Sequence, residues 1–391
     1  MKRVDILLVI LIGIVSFLLL TIGIDKPFNG HHDFNNRFFS QVGRNYIKYG
    51  LLNLKLGQLI WDHKPEDTGE VYYTHHPPLL PIILSVGLKT LGDTNASVRV
   101  VPIVFSVLTL GIFYLLIRNF LGVIESLLGV GAWVISPMFL YFGKMADHEA
   151  LTLFFITLTC WLFVLWKKSG DISIFHLLVI GLFLGQWTGW PAYYLAGILF
   201  IISRRWEFVA LSLFNFALFV GNVVWITGSP VGGGLWEILL FRVGLQPLSF
   251  AEEIYTPIQF MTQELRWSYH FFTPGVVITT VLYLIYSLLK WFKNRKFDLW
   301  SQIWLVYFLV ALIHIFFFQT GAWHHDYWLY YFLPFYGFGI AGMASLLVKG
   351  FRSQRTVVYI FFTLLLLFSF SSSQPGPSQG VRRLTERDGA S

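Results

Sequence analysis

Charged residues are scarce in this chain. Asp, Glu, Lys and Arg make up 13% of its 391 residues and hydrophobic residues 55%, whereas a soluble domain carries about 25% charged residues. Several apolar runs are long enough to cross a hydrocarbon core of about 30 Å as helices. The composition therefore predicts an integral membrane protein.

The chain has a single cysteine and lacks the common nucleotide-binding motifs. Cys160 is the only cysteine and lies in an apolar run, which excludes an intrachain disulfide and a thiolate metal cage. There is no Gly-rich phosphate loop and no dinucleotide fingerprint, so cytosolic nucleotide chemistry is not expected. The net charge is +7, but the basic residues cluster between hydrophobic runs as orientation signals do, so no nucleic-acid partner is predicted.

The hydrophobic pattern predicts about eleven membrane spans. They lie at 5–24, 98–117, 122–142, 149–166, 173–189, 191–203, 208–228, 274–290, 299–320, 327–348 and 356–372. The first span lacks a cleavage-site pattern and is predicted to be a retained anchor. The segment from Pro78 to Leu91 is too short to span and follows two prolines, so it is predicted to be an interfacial helix.

Charge placement supports this topology. With a cytoplasmic N-terminus, fourteen of the 28 Lys and Arg residues fall in short cytoplasmic connections, as the positive-inside rule requires. Most acids and nine of the eleven histidines then fall on the outer face, which is therefore the chemical face. These histidines are His31, His32, His63, His75, His76, His148, His270, His324 and His325.

One transmembrane domain accounts for residues 1–372. Its two long outer loops are 25–97, in which Phe34 to Leu54 suits an amphipathic interfacial helix, and 230–273, which is predicted to form a lid with a helix of its own. The tail 373–391 begins rich in Pro, Gly and Ser and is predicted to be disordered. The predicted location is a prokaryotic plasma membrane, with the active face outside.

Asp33 is the leading candidate for a catalytic group. It lies nine residues beyond the predicted end of the first span, next to His32, and Arg37 follows four residues later on the same helical face. A carboxylate kept ionised in a water-poor cleft can accept a proton from an attacking hydroxyl or amine. A solvated loop carboxylate is an equally good explanation from chemistry alone.

Two other outer segments carry reactive groups. His75 and His76 precede Pro77-Pro78, and they suit a rigid loop end, a phosphate site at a helix N-terminus or a metal site. The turn from Lys144 to Glu149 contains Asp147 and His148 and either caps the next helix or contributes to the site.

The late His-His-Asp run and one misplaced arginine complete the candidates. The run contains His324, His325 and Asp326 and is flanked by aromatic residues. An interfacial aromatic belt is expected here, but it explains only the aromatic residues and not the His-His-Asp run. Arg99 begins the second span on the outer side, against the positive-inside rule, and so either binds an anionic phosphate or pairs with an acid such as Asp93.

Together these residues resemble the GT-C superfamily of membrane glycosyltransferases, which use polyprenyl-phosphate sugars. The pattern is nearest to glycosyltransferase family 39, the protein O-mannosyltransferases, and to the related aminoarabinose transferases. His76-Pro77-Pro78-Leu79 and Tyr331-Phe332-Leu333-Pro334 are similar to family motifs. The chain departs from the pattern in having Phe34 after Asp33, where the family often has a second acid, and His75-His76 where aminoarabinose transferases have Glu-Lys.

The resemblance implies an all-α GT-C bundle and an inverting sugar transfer. Asp33 would be the base, and the donor phosphate or the acceptor would be bound by the other candidates. These are Arg37, His75, His76, Arg99, Lys144, Asp147, His148, His324, His325 and Asp326. The implied partners are a polyprenyl- or dolichyl-phosphate sugar, the lipid bilayer, and a protein, lipid or glycan acceptor.

No cofactor is required by the sequence, although a divalent metal stays open, with His75, His76, His324 and His325 as candidate ligands. The alternatives are a zinc-dependent membrane hydrolase, suggested by the number of histidines, and, ranked lower, a lipid or sugar transporter. A transporter would carry charged groups inside its spans, and the spans here are nearly free of charge.

Overall fold

The computed structural model describes residues 3–62, 72–230, 234–245 and 255–372, and within them the chain is almost entirely helical. Predictions for His63, for 231–233 and 246–254 in the second outer loop and for the tail 373–391 fall outside the described residues. The α-helices are α1 Arg3–Leu20, α2 Phe34–Tyr49, α3 Leu79–Leu91, α4 Asn95–Arg118, α5 Val123–Val134, α6 Pro137–Phe142, α7 His148–Ser169, α8 Ile172–Gln186, α9 Pro191–Ser203, α10 Glu207–Thr227, α11 Leu235–Arg242, α12 Pro257–Phe272, α13 Pro274–Asn294, α14 Leu299–Phe317, α15 Gln319–His324, α16 Leu333–Gly350 and α17 Arg355–Ser372.

Within the part of the chain that the structure describes, seven helical segments are long and apolar enough to cross a membrane. They are α1, α4, α7, α10, α13, α14 and the unit Asp326–Gly350, in which the 3-10 helix Asp326–Phe332 leads into α16. The all-α, multi-pass architecture is therefore confirmed, but the count of about eleven spans is not, because α5, α8 and α9 are shorter apolar helices.

The third predicted span is two helices rather than one. Ser136 interrupts the run, and its hydroxyl accepts a hydrogen bond from the backbone N–H of Phe139. Pro137 then opens α6, since proline lacks the N–H that a continuing helix would need and suits the first helical turn. A break here turns the chain before it reaches the turn that contains Asp147.

The core is built on a close crossing of α5 and α16. A Cβ added to Gly129 would lie 2.8 Å from the carbonyl oxygen of Gly337, and the reverse holds as well. Small residues at such a crossing let two backbones approach, which is how membrane helices commonly pack. Phe113, Trp133 and Phe338 fill the space beside the crossing.

The predicted outer loops fold into elements that cover one end of the bundle. In the first, α2 packs along α3, and a short antiparallel pair joins Gln58–Leu59 to Tyr72–Tyr73. The predicted helix from Phe34 ends at Tyr49, because Gly50 adopts a positive φ of 88°. The expected short helix after Pro78 is confirmed as α3, and the second loop contains α11 and α12.

Candidate active site

Asp33 lies immediately before α2, and its carboxylate accepts two hydrogen bonds. Oδ2 accepts a hydrogen bond from the backbone N–H of Gly30 at 2.7 Å, and Oδ1 accepts one from the Asn36 side chain at 2.8 Å. The side chain is 14% exposed. These contacts fix the orientation of the carboxylate and leave one edge open to solvent.

Arg99, rather than Arg37, is the cation beside Asp33. A guanidinium nitrogen of Arg99 lies 3.8 Å from Oδ2 of Asp33, whereas the Arg37 guanidinium donates to the carbonyl oxygen of Phe28. The predicted pairing of Arg37 with Asp33 is therefore not found among the described residues, because the Arg37 side chain turns toward the chain that precedes α2. Asp93, the alternative partner proposed for Arg99, pairs instead with Arg44.

Arg99 and Lys144 are also committed to backbone carbonyls. Arg99 is buried and donates to the carbonyl oxygens of Ile24 and Lys26. Lys144 donates to the carbonyl oxygen of Ile22 at 2.7 Å, and partial burial lowers the pKa of its ammonium group. Both cations thus anchor the turn that follows α1 and leads toward Asp33.

Asn35 and Asn36 join α2 to the turn before α7. The Asn35 amide donates to the Asp147 carboxylate, and the Asn36 side-chain oxygen accepts from the backbone N–H of Ala146 at 2.8 Å. Because Asn36 also donates to Asp33, this pair holds the two predicted acidic segments together. The sequence reasoning missed both asparagines, although their position next to Asp33 was visible.

A cavity of about 430 Å³ lies beside these segments. Asp33 does not line it, but Asn35, two residues further along, does. The lining residues are Phe34, Asn35, Phe38, Phe39, Ile60, Tyr72, Tyr73, His75, His76, Asp147, His148, Glu149, Gly189, Pro191, Arg242, His314, His325, Tyr327, Trp328 and Tyr331. Five of the predicted residues therefore meet in one cavity: His75, His76, Asp147, His148 and His325.

The imidazoles of the cavity wall are buried or half-buried, and two of them stack on each other. The rings of His76 and His148 lie 4.3 Å apart, and Nδ1 of His76 lies 2.5 Å from the Tyr73 hydroxyl. Burial, and secondly the charge of Arg242, lowers the pKa of His75 to about 3. Burial likewise holds the pKa of His76 well below its usual range. Neutral imidazoles can both donate and accept hydrogen bonds, which suits a hydroxyl-rich ligand.

Two buried carboxyl groups face the same cavity. Asp147 caps α7 by accepting from the backbone N–H of His148 at 2.7 Å, and Glu149 is buried one residue further on. Burial raises the pKa of Asp147, so this carboxyl holds a proton more readily than an exposed aspartate. The capping role and the cavity-lining role, which the sequence left as alternatives, are both present.

Arg242 is the cavity residue that sequence reasoning missed most clearly. It ends α11 in the second outer loop, and its guanidinium lies 5.6 Å from the ring centre of Trp328. Tyr73 lines the same cavity. Among the described residues that line the cavity, it is the sole Lys or Arg. The signal available in the sequence was an arginine in a loop predicted to cover the site.

The remaining predicted residue, Asp326, meets the two histidines before Asp33. Its carboxylate lies 2.8 Å from Nε2 of His31 and 3.1 Å from Nε2 of His32. Hydrogen bonding to Asp326 raises the pKa of His31. Within the described residues, these three form the group of His, Cys, Asp or Glu side chains that could hold a metal ion.

The predicted metal ligands are not in that group. His75 and His76 lie in the cavity wall, His325 packs against Tyr327, and the exposed His324 lies near Phe241. His75, His76 and His325 all line the cavity, but among the described residues they do not bring three candidate ligand atoms together.

Known proteins share the sequence of one segment and the fold of nearly the whole chain. Residues 75–225 match the family model described as dolichyl-phosphate-mannose-protein mannosyltransferase. No curated protein matches the chain. The matched segment contains His75, His76, Asp147, His148 and Glu149, and so supplies most of the polar cavity wall.

Three solved structures illustrate the shared fold. The oligosaccharyltransferase of Archaeoglobus fulgidus, in complex with Zn and sulfate, is 15% identical with a TM-score of 0.56, covering 94% of this chain and 54% of its own. ArnT from Cupriavidus metallidurans, bound to undecaprenyl phosphate, is 12% identical with a TM-score of 0.59, covering 86% and 60%. The archaeal oligosaccharyltransferase AglB from A. fulgidus, with an inhibitory peptide and a dolichol-phosphate, is 12% identical with a TM-score of 0.57, covering 97% and 57%.

The chain therefore spans little more than half the length of these enzymes. Their identities are low, so they show a shared fold, while the family match adds sequence similarity over 75–225. The resemblance predicted from the sequence, to the GT-C membrane glycosyltransferases that use polyprenyl-phosphate sugars, is thereby confirmed.

Proposed function

We propose that this protein transfers a sugar from a polyprenyl-phosphate donor to a hydroxyl or amine acceptor at the outer face of a prokaryotic plasma membrane. The observation that carries the proposal is the cavity of about 430 Å³, to which the segment matching the mannosyltransferase family contributes His75, His76, Asp147, His148 and Glu149. Its neutral imidazoles suit sugar hydroxyls, and its arginine suits a phosphate. The donor is a hexose or pentose on a lipid carrier.

Arg242 is the best candidate to bind the donor phosphate. It is the cation that lines the cavity, whereas Arg99 and Lys144 donate to backbone carbonyls. A guanidinium presents paired donors that match phosphate oxygens, and its charge stabilises the leaving lipid phosphate. The predicted phosphate role thus moves from Arg99 and Lys144 toward a residue of the second outer loop.

Asp33 is the best candidate for the base. It lies beside Arg99 and two residues before Asn35, which lines the cavity, whereas burial raises the pKa of Asp147, so that carboxyl is more readily protonated and less available to accept a proton. In the reaction the acceptor oxygen or nitrogen bonds to the anomeric carbon, and the bond from that carbon to the phosphate oxygen breaks. The acceptor proton passes to Asp33, and the electron pair leaves with the lipid phosphate, with inversion at the anomeric carbon.

The test is incubation of the purified full-length protein with a panel of polyprenyl-phosphate sugars, scoring release of lipid phosphate and the position of the sugar. Asp33→Asn is expected to lower kcat by roughly 10²- to 10⁴-fold, the range for loss of a general base. Arg242→Gln is expected to raise the donor KM by roughly 10- to 100-fold, since a charge-assisted hydrogen bond contributes about 1.5–3 kcal/mol.

The matched control is Asp93→Asn, which removes an exposed carboxylate of the same predicted loop and should leave both constants unchanged. Full activity of Asp33→Asn would exclude it as the base. Release of free sugar into water, with a strict metal requirement and no acceptor, would favour the hydrolase instead.

A further inference from the structure

Three side chains outside the cavity converge on one point next to Asp33. His31 and His32 come from the segment before α2, and Asp326 opens the 3-10 helix almost 300 residues later. We propose that these three residues bind one divalent transition-metal ion, with Zn²⁺ the best match, and that the ion clamps the first outer loop to the chain that leads into α16. The proposal goes beyond the transfer reaction and does not depend on it.

The ligand atoms already have the spacing of neighbours in a small coordination sphere. Nε2 of His31 lies 2.8 Å from Oδ2 of Asp326, and Nε2 of His32 lies 3.1 Å from Oδ1. One ligand atom from each residue can be chosen so that all lie within 4.8 Å of one another. With metal–ligand distances of about 2.0–2.2 Å, ligands in a tetrahedral site are roughly 3.3 Å apart. Small rotations of these side chains would therefore complete the site.

The backbone at His32 adopts an unusual conformation that brings the two imidazoles together. Its φ is 56°, in the left-handed region that residues other than glycine rarely occupy. Side chains of consecutive residues point apart in a helix or strand, yet the rings of His31 and His32 lie 4.0 Å apart. Local strain of this kind is maintained by the surrounding structure and is concentrated at functional sites.

The carboxylate of Asp326 has an oxygen in need of a partner. Asp326 is buried, and its Oδ1 accepts no hydrogen bond from the described residues, although Nε2 of His32 lies 3.1 Å away. A buried carboxylate without full compensation is costly. A divalent cation would compensate it and would let both imidazoles be neutral, as metal ligation requires.

The donor set also restricts the class of ion. Two imidazoles and one carboxylate suit zinc and other first-row transition metals, whereas calcium and magnesium prefer oxygen ligands. Three protein ligands leave at least one coordination position for water or a substrate oxygen. The His31 side chain is 44% exposed, so solvent reaches the group from the side of His31.

The competing arrangement is a metal-free cluster in which protonated histidines pair with Asp326. Metal content separates the two. The full-length protein, purified in detergent and stripped with a chelator, is equilibrated with Zn²⁺ and assayed by elemental analysis, and Co²⁺ titration is followed by visible absorption. We expect one ion per chain and a Co²⁺ absorption spectrum typical of a four-coordinate, tetrahedral site.

The variants His32→Ala and Asp326→Asn should weaken Zn²⁺ binding by more than the roughly 10- to 100-fold lost when a hydrogen-bond partner of a metal ligand is removed. His270→Ala, an exposed histidine of the predicted outer face, is the matched control and should bind like the wild type. Thermal unfolding in chelator shows whether each variant is folded. A wild-type protein that binds no stoichiometric ion, or undiminished binding by both folded variants, would overturn the proposal. Neither measurement uses donor or acceptor, so the result is independent of the transferase test.

Discussion

Asn36 offers the sharpest test of how the site is assembled, because one buried amide joins two segments. It is 1% exposed, donates to the Asp33 carboxylate at 2.8 Å and accepts from the backbone N–H of Ala146 at 2.8 Å. Asn36→Ala removes both bonds without touching the cavity, which Asn36 does not line. The substitution therefore perturbs the position of Asp33 and not the contacts of the donor.

The expected magnitudes follow from these two bonds. The bond to the carboxylate contributes about 1.5–3 kcal/mol, and the Ala146 N–H left buried without a partner costs about 1–3 kcal/mol. The free energy of unfolding should fall by roughly 2.5–6 kcal/mol in total, within the range of a lost buried network. A base displaced by about 1 Å lowers the rate by roughly 10²-fold.

The assay is steady-state transfer with the donor identified by the panel, together with thermal unfolding of the same samples. We expect kcat of Asn36→Ala to fall by roughly 10²-fold while the donor KM stays close to that of the wild type. Asn53→Ala is the control, since the exposed Asn53 donates only to the carbonyl oxygen of Tyr49 in the same loop. A folded Asn36→Ala protein with wild-type kcat, or one changed only in KM, would refute the positioning role.

Two further predictions concern stability. Burial raises the pKa of Glu264 to about 8, so the folded state holds a proton that the unfolded state has lost above its ordinary pKa of 4.5. The free energy of unfolding should therefore fall as pH rises from 4.5 to about 8, by at most about 1.4 kcal/mol per pH unit. Chemical unfolding at several pH values should show that Glu264→Gln removes this dependence. An unchanged pH dependence in the variant would contradict the prediction. Gly337→Ala would place a Cβ 2.8 Å from the carbonyl oxygen of Gly129 and should cost about 1–3 kcal/mol by overpacking. Gly197→Ala, which meets nothing within 4 Å, should be neutral in the same melting assay, and equal melting points for the two variants would count against the packing argument.

The sequence was most informative where a local rule acts on consecutive residues. A membrane-crossing helix needs about 20 apolar residues, so composition alone located the long spans and identified Pro78 to Leu91 as too short. The same rule treated 122–142 as one continuous helix, although the run contains a break at Ser136-Pro137. Of the site, the sequence identified His75, His76, Asp147 and His148, because they belong to compact runs beside predicted helix ends.

Only the tertiary structure decided which of these groups meet. Arg37 has the helical spacing to reach Asp33, yet Arg99 from α4 takes that place, because α1 and α4 pack side by side and bring the loop to it. Arg242 enters the cavity from α11, and Asp326 reaches His31 across 295 positions of sequence. Local patterns determine which segments become helices, since backbone hydrogen bonding and burial in lipid act residue by residue. The partners of a charge are determined by helix packing over the whole chain, and that packing is what brought Asp326, rather than a predicted metal ligand, to His31 and His32.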